Sequence, residues 1–513
     1  MKHTRILMVL LLCLAMILPA CSQTPTEQPA ADTTVPAVVT TTAAPETTES
    51  PYDEKGFLKD DLPDDLDLGN QTIKVFIGDY NNAYLDDMYA EKANGERLND
   101  TIYKTIKSVE ERLNVKLEYN WRTYTYAENS AYQKEVLNGI LAKDGSKDLL
   151  FDCANYAYRH VEGDYFMDLS QFKYIDLEKP WYNKTIIENM PNERIPFLSG
   201  DFALANVKNT YAFYFNADLY KALGKTENLY ELVDSGKWTM EKMETIIADA
   251  YHDVNGDTKK DPSDRFGLTF GDTNKYLGFL AALNVKMFTR TNDDYEFTYG
   301  NEHALDVANH MIALVNDNEN VIKSMAATDT TKYPEYLTSS GGGNNASSIF
   351  LAGRGLFSAS LVADAQTIVG AIDFEYGLLP YPKWDEKQEN YQTSLQRSCY
   401  ALIPGDTKNA EAASAVLEAL ASESYRTLLP EYCEVMLKTR YAQDSDVSRM
   451  FDLIAHSIVY DLGDIFNKDA PSGYIRHAIN SRLNWTSHIE SKKPNLIAEM
   501  DELFAKASTT PAN

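Results

Sequence analysis

The segment Asp253-Val254-Asn255-Gly256-Asp257-Thr258-Lys259-Lys260-Asp261-Pro262-Ser263-Asp264 has the spacing most suggestive of chemistry in the chain. Side-chain oxygens of Asp253, Asn255, Asp257, Asp261 and Asp264 fall at loop positions 1, 3, 5, 9 and 12, with Lys259 at position 7, where such loops use a main-chain carbonyl. Calcium takes roughly six to eight hard oxygen ligands in this order, here with Asp instead of Glu at the last position. Thr258 stands where a Gly normally makes the sharp turn, and Lys259 and Lys260 offset two of the four carboxylates. The loop therefore reads either as a structural calcium staple or, without a cation, as a solvated turn. Neither reading makes it catalytic, and no cofactor is required.

Signatures of other chemistry are missing. There is no HExxH, no GxSxG elbow, no Walker loop and no GxGxxG after a strand. His303 and His310 are seven residues apart, too far for the i,i+4 pairing of a helical metal site. The run Ser339-Ser340-Gly341-Gly342-Gly343-Asn344-Asn345 lacks the Lys of a phosphate loop and reads as a connection. A carboxylate pair for glycoside hydrolysis has no specificity as a signal among 76 Asp and Glu.

The N-terminus carries an address. Lys2, His3 and Arg5 are followed by the apolar Ile6–Leu18, and Leu18-Pro19-Ala20-Cys21 resembles a bacterial lipobox. Residues 1–20 are then a lipoprotein signal peptide and Cys21 the diacylglycerol acceptor. A single acyl chain binds a membrane marginally, whereas two or more anchor stably. Attachment would be through lipid alone, because no later apolar run reaches the ~18 residues that span a bilayer. Past Cys21 the chain is Thr, Pro, Ala and acidic residues, too apolar-poor to offset chain entropy. It reads as a tether, with residues 21–66 outside the folded body. Cys153, Cys399 and Cys433 remain, permitting one disulfide but reading as buried thiols.

Charge narrows the partners. Against those 76 acidic residues stand 48 Lys and Arg, giving a net charge of −28. Nucleic-acid binding relies on clustered basic side chains, so nucleic acid is excluded as a partner. The 33 Tyr, several in loops (Tyr80, Tyr156, Tyr158, Tyr165, Tyr182, with Trp181 adjacent), suit sugars or peptides in a cleft, although most such residues are ordinary packing.

These groups must be held by an α/β body. Ile73–Ile77 reads as a strand ending at Gly78-Asp79-Tyr80. Asn99 is placed to cap a helix whose Ile102, Ile106, Val109 and Leu113 share one face, and Asn114 ends it. Val115, Leu117, Tyr119 and Trp121 alternate as a second strand, which implies a parallel crossover. A helix carrying Tyr132, Val136 and Ile140 leads to a third strand over 148–155. Further helices are expected over 238–251, 302–316, 410–429 and beyond 444, with strands at 209–216, 348–359 and 398–403.

Three stretches then carry a family likeness: Tyr211-Ala212-Phe213-Tyr214-Phe215-Asn216-Ala217-Asp218-Leu219-Tyr220, Gly236-Lys237-Trp238-Thr239, and the Asp-rich loop closing on Phe266-Gly267. In that order they resemble family 1 extracellular solute-binding proteins of bacterial ABC importers. Tyr376-Gly377-Leu378-Leu379-Pro380-Tyr381-Pro382-Lys383 and Glu418-Ala419-Leu420-Ala421-Ser422-Glu423-Ser424-Tyr425-Arg426 look like the large lipoprotein members. The resemblance implies a periplasmic-binding-protein-like type II fold, two Rossmann-like lobes joined by crossing strands around a ligand cleft. Lobe one would take residues 67–206 and 398–432, and lobe two 207–397 and 433–507. It further implies a monomer that captures a small solute, most often a carbohydrate, and delivers it to permease subunits at the outer face of the cytoplasmic membrane, without chemistry. A secreted glycan-processing hydrolase, or a surface adhesin or sensory co-receptor of the same fold, are the competing readings.

Loops after strand carboxyl ends face the cleft in such folds. That rule selects Asp79, Tyr80 and Asn81 after the first strand and Asn155, Tyr156 and Tyr158 after the third. Asp364 and Arg397 follow as candidates near the crossings.

Overall fold

The computed structural model describes residues 50–153, 165–190, 194–292, 294–323, 348–437, 445–466 and 471–509. The signal segment, Cys21, the tether up to residue 49, Asn155, Tyr156, Tyr158 and the Gly-rich run at 339–345 lie outside the described residues.

The first sheet is built as its alternation dictates. In β1 (Gln71–Tyr80) Ile73, Val75 and Ile77 are fully buried. It pairs in parallel with β2 (Val115–Tyr124) from Gln71↔Val115 to Tyr80↔Tyr124, and with β3 (Leu149–Cys153) on its other side. The crossover helix Arg97–Leu113 buries Ile102, Ile106, Val109 and Leu113, each contributing roughly 1.5–3 kcal/mol. Asn114 ends it in the left-handed region, φ 46°. Its cap is Glu96, not Asn99: the Glu96 carboxylate accepts from Leu98 N and Asn99 N. Asn99 instead donates to Lys92 O, because Glu96 already satisfies the first turn.

The second sheet has the order β5-β8-β4-β9. β4 (Tyr211–Asn216) lies antiparallel to both β8 (Gly355–Leu361) and β9 (Tyr376–Leu379), while β5 (Phe266–Phe270) is parallel to β8. A separate hairpin joins β6 (Phe288–Thr291) to β7 (Asp294–Phe297). The strand expected over 348–359 is split. Ser348–Leu351 is a helical turn, and Gly353 at φ 75° reverses the chain before β8 begins. Trp238 is fully buried in this lobe, its Nε1 donating to Pro380 O at 2.8 Å.

The chain returns to the first sheet as β10 (Cys399–Leu402), antiparallel to β3. Cys153 and Cys399 are register partners there, and with Cys433 they are buried free thiols. Helix Ala410–Glu423 then packs on helix Arg97–Leu113, and helix Ser445–His456 lies against β9 of the second sheet. Three passages run side by side between the sheets. Tyr211 N donates to Ser394 O (3.0 Å), Gln396 N to Asn209 O (2.9 Å), Thr393 N to Ser457 O (2.9 Å) and Val459 N to Thr393 O (2.8 Å).

Part of the segment expected as tether is packed on the body. Tyr52 bridges Leu58, Leu62 is buried, and Asp60 accepts from both Nη atoms of Arg112 at 2.6 and 2.8 Å. Burial pushes the Asp60 carboxyl up, but the hydrogen bond and charge of Arg112 outweigh it and hold the group below the usual range. Among the described residues, no helix is long and apolar enough to cross a membrane.

Candidate functional site

A cleft of about 990 Å³ opens beside the three passages. That is at the upper end of the ~300–1,000 Å³ range of ligand sites. Its walls come from both sheets. Tyr126 after β2, the segment around Thr185 and Asn189, and Tyr400 of β10 form one side. Tyr211 of β4, the 277–290 region and residues 472–476 form the other, and residues 459–465 join the two, Tyr460 bonding to Ser199 and Ser398 and Asp461 to Met287.

Tyr211 opens β4 at the first passage and is only 1% exposed, yet its hydroxyl has no hydrogen-bond partner. A buried phenol normally finds one, so this hydroxyl keeps unused hydrogen-bonding capacity beside the cleft. Tyr460, from the third passage, shares hydrogen bonds with Ser199 Oγ (2.5 Å) and Ser398 Oγ (2.7 Å), which fixes that wall. Tyr126 stands 74% exposed and offers an aromatic face.

Charge is concentrated on the turn after Tyr460. Asp461 accepts from Met287 N (2.8 Å) and Gly463 N (2.7 Å), and Asp464 from Ser472 N (3.1 Å). Burial, with the Asp464 charge second, pushes the Asp461 carboxyl up to about 7; burial pushes Asp464 up to about 6. The Asp464 side chain nevertheless opens into the cleft. Of the basic residues lining the cleft, Arg290 donates to the carbonyls of Glu188 and Met190, and Arg476 to Asn274 Oδ1. Lys286 is exposed.

Of the residues expected in the cleft, Asn155, Tyr156 and Tyr158 lie outside the described residues, and the others do not line it. Asp79 is buried and serves as a turn cap: Oδ1 accepts from Tyr84 N (3.0 Å) and Leu85 N (3.3 Å), and Oδ2 from Thr123 Oγ1 (3.0 Å). Asn81 occupies the left-handed region, φ 54°, and donates its N–H to Tyr124 O. Tyr80 packs on Tyr124, with the Arg397 guanidinium 6.0 Å from its ring centre. Gln396 and Ser398 line the cleft and Arg397 between them does not. Asp364 is fully buried at a helix start, accepting from Leu361 N at 2.9 Å. Of the loop aromatics, Trp181 and Tyr182 are core. No sequence signal marks Tyr211 or Asp464, because their exposure to the cleft depends on where the passages meet.

The Asp253–Asp264 loop closes on its own bonds. Asp253 accepts from Gly256 N and Thr258 N, Asn255 from Asp257 N, Asp257 from Lys259 N, and Asp261 from Ser263 N. Asp264 is fully buried and accepts from Val254 N, Asp261 N and the Tyr251 hydroxyl. Among the described residues no three His, Cys, Asp or Glu are gathered to hold a metal, and the loop's side-chain oxygens accept from its own backbone N–H groups. Calcium added to chelator-treated protein is expected to leave the melting temperature unchanged. A rise of several degrees would show that the carboxylates regroup around the ion.

No protein-family model matches the chain, and no curated protein matches it. Solved structures do. An extracellular solute-binding protein from Staphylococcus aureus in complex with maltose superposes with a TM-score of 0.54 at 14% identity, covering 84% of this chain and 98% of that one. A cyclo/maltodextrin-binding protein complexed with maltotetraose gives 0.53 at 13% identity over 84% and 96%. An ABC substrate-binding protein from Listeria monocytogenes in complex with cycloalternan gives 0.52 at 12% identity over 84% and 99%. The chain therefore has the mixed α/β, periplasmic-binding-protein-like fold that these solute-binding proteins share.

Proposed function

We propose that this protein captures a small carbohydrate in the cleft by lobe closure and delivers it to the permease of an ABC importer, without chemistry, while lipid on Cys21 holds it at the outer face of the cytoplasmic membrane. The observation that carries the reading is the cleft itself, walled by both sheets beside three chain passages and holding a buried phenol with no partner. A ligand touching both walls contacts them together only when the lobes close, so it stabilises the closed form by its differential affinity. The solute-binding structures of the same fold support the reading, and those named above are described with maltose, maltotetraose and cycloalternan.

Titration calorimetry against a panel of mono- and oligosaccharides tests it. One-to-one binding with no product is the expected result. Tyr126→Ala should weaken it about tenfold, the ~1.4 kcal/mol scale of one aromatic contact, with no change in melting temperature because Tyr126 is exposed. Cleavage of the sugar that is lost on replacing one carboxylate would establish the hydrolase reading instead. The intact mass of the mature protein from its own cells reports the lipid on Cys21 directly.

A further inference from the structure

We propose that the ligand of the cleft carries a protonated amine, seated on Asp464 and Asp461. This rests on the carbohydrate-capture reading above and narrows it to amine-bearing sugars. The two carboxylates stand three residues apart around the start of the short helix Leu462–Phe466, and both line the cleft. Neither is in an ion pair among the described residues. Their partners are neutral donors: the backbone N–H groups of Met287, Gly463 and Asp464 for Asp461, and the backbone N–H and side chain of Ser472 for Asp464.

An ionised carboxylate offers about four acceptor sites; Ser472 engages Asp464 through its backbone N–H and its side chain, which leaves acceptor capacity on the side that opens into the cleft. Two like charges held together in a partly desolvated wall are costly until a cation joins them. The cations already lining the cleft do not do so. Arg290 and Arg476 are committed to carbonyl oxygens on other segments, and Lys286 is exposed without a carboxylate partner.

A neutral sugar hydroxyl donates one hydrogen bond and leaves both charges in place. An ammonium donates three and neutralises one of them. The Tyr211 hydroxyl, buried at the same cleft and unpartnered, supplies a further acceptor. Acceptors from two carboxylates and one phenol match an ammonium group better than they match a hydroxyl.

The experiment compares matched pairs at pH 7.5 by calorimetry on the intact protein: glucosamine with glucose, galactosamine with galactose, mannosamine with mannose, and the glucosamine tetramer with cellotetraose. At least one amine should bind tenfold or more tighter than its neutral counterpart. That advantage should shrink in 0.5 M NaCl and disappear in Asp464→Asn. Neutral sugars binding as tightly as the amines, or more tightly, throughout the panel would overturn the amine assignment and leave the capture reading standing. Binding by no member would overturn both. The comparison on the native protein stands by itself if Asp464→Asn fails to fold.

Discussion

Glu418→Gln is expected to stabilise the protein by roughly 3–5 kcal/mol above pH 8 and to have little effect below pH 4.5. Glu418 is 1% exposed on the helix Ala410–Glu423, where its Oε2 accepts from the Tyr182 hydroxyl at 2.8 Å. Burial raises its carboxyl from 4.5 to about 8; the Tyr182 bond opposes the rise, and the charge of Asp60 adds to it. Arg112 and Arg426 sit against Asp60, and among the described residues no basic side chain forms an ion pair with Glu418 itself. In the unfolded chain the group loses its proton near 4.5, while the folded chain holds it to about 8. Between those values the folded state binds more protons, so stability falls as pH rises through this window and levels off above it. Each tenfold gain in proton affinity on folding corresponds to about 1.4 kcal/mol, which sets the amplitude. Gln stays neutral and keeps an oxygen for Tyr182. Urea unfolding of both proteins from pH 4 to 9 measures the difference; parallel curves would show that Glu418 is not the group responsible.

Asn206→Ala is expected to cost about 2–4 kcal/mol. Asn206 is buried just before the first passage, and its side chain ties together segments far apart in sequence. Oδ1 accepts from Cys399 N at 2.7 Å, and Nδ2 donates to Gly200 O at 3.0 Å and Cys399 O at 3.2 Å. Alanine leaves these backbone groups buried without that partner, at ~1–3 kcal/mol for each group stranded. Asn206→Asp should be at least as damaging, because an oxygen would then face two carbonyl oxygens. Both variants are read by urea midpoint at constant slope. A loss under 1 kcal/mol for Asn206→Ala would mean that water or a backbone shift replaces the side chain.

The elements of the first lobe were legible because their signals are local. Four apolar residues at spacings of four, three and four specify one helical face, and alternation in β1 and β2 specifies which side is buried. The Glu96 cap was not legible, since Glu and Asn both offer an oxygen and only the chain path decides which one reaches the free N–H groups. The break before β8 was hidden for a related reason. Ser348–Leu351 has apolar residues that satisfy either pattern, and the turn at Gly353 settles the outcome.

The site divides in the same way. Of the residues placed by strand ends, those after the first strand do not line the cleft, because Asp79 and Asn81 are consumed in ending β1. By itself the sequence determined the α/β alternation and the lack of the catalytic signatures sought; both are properties of neighbouring residues or of composition. Only the tertiary structure decided which groups meet in the cleft. Tyr211, Ser398 and Asp464 lie 187 and 66 residues apart along the chain, and what brings them to one cleft is the hydrogen bonding of three passages, which no local periodicity encodes.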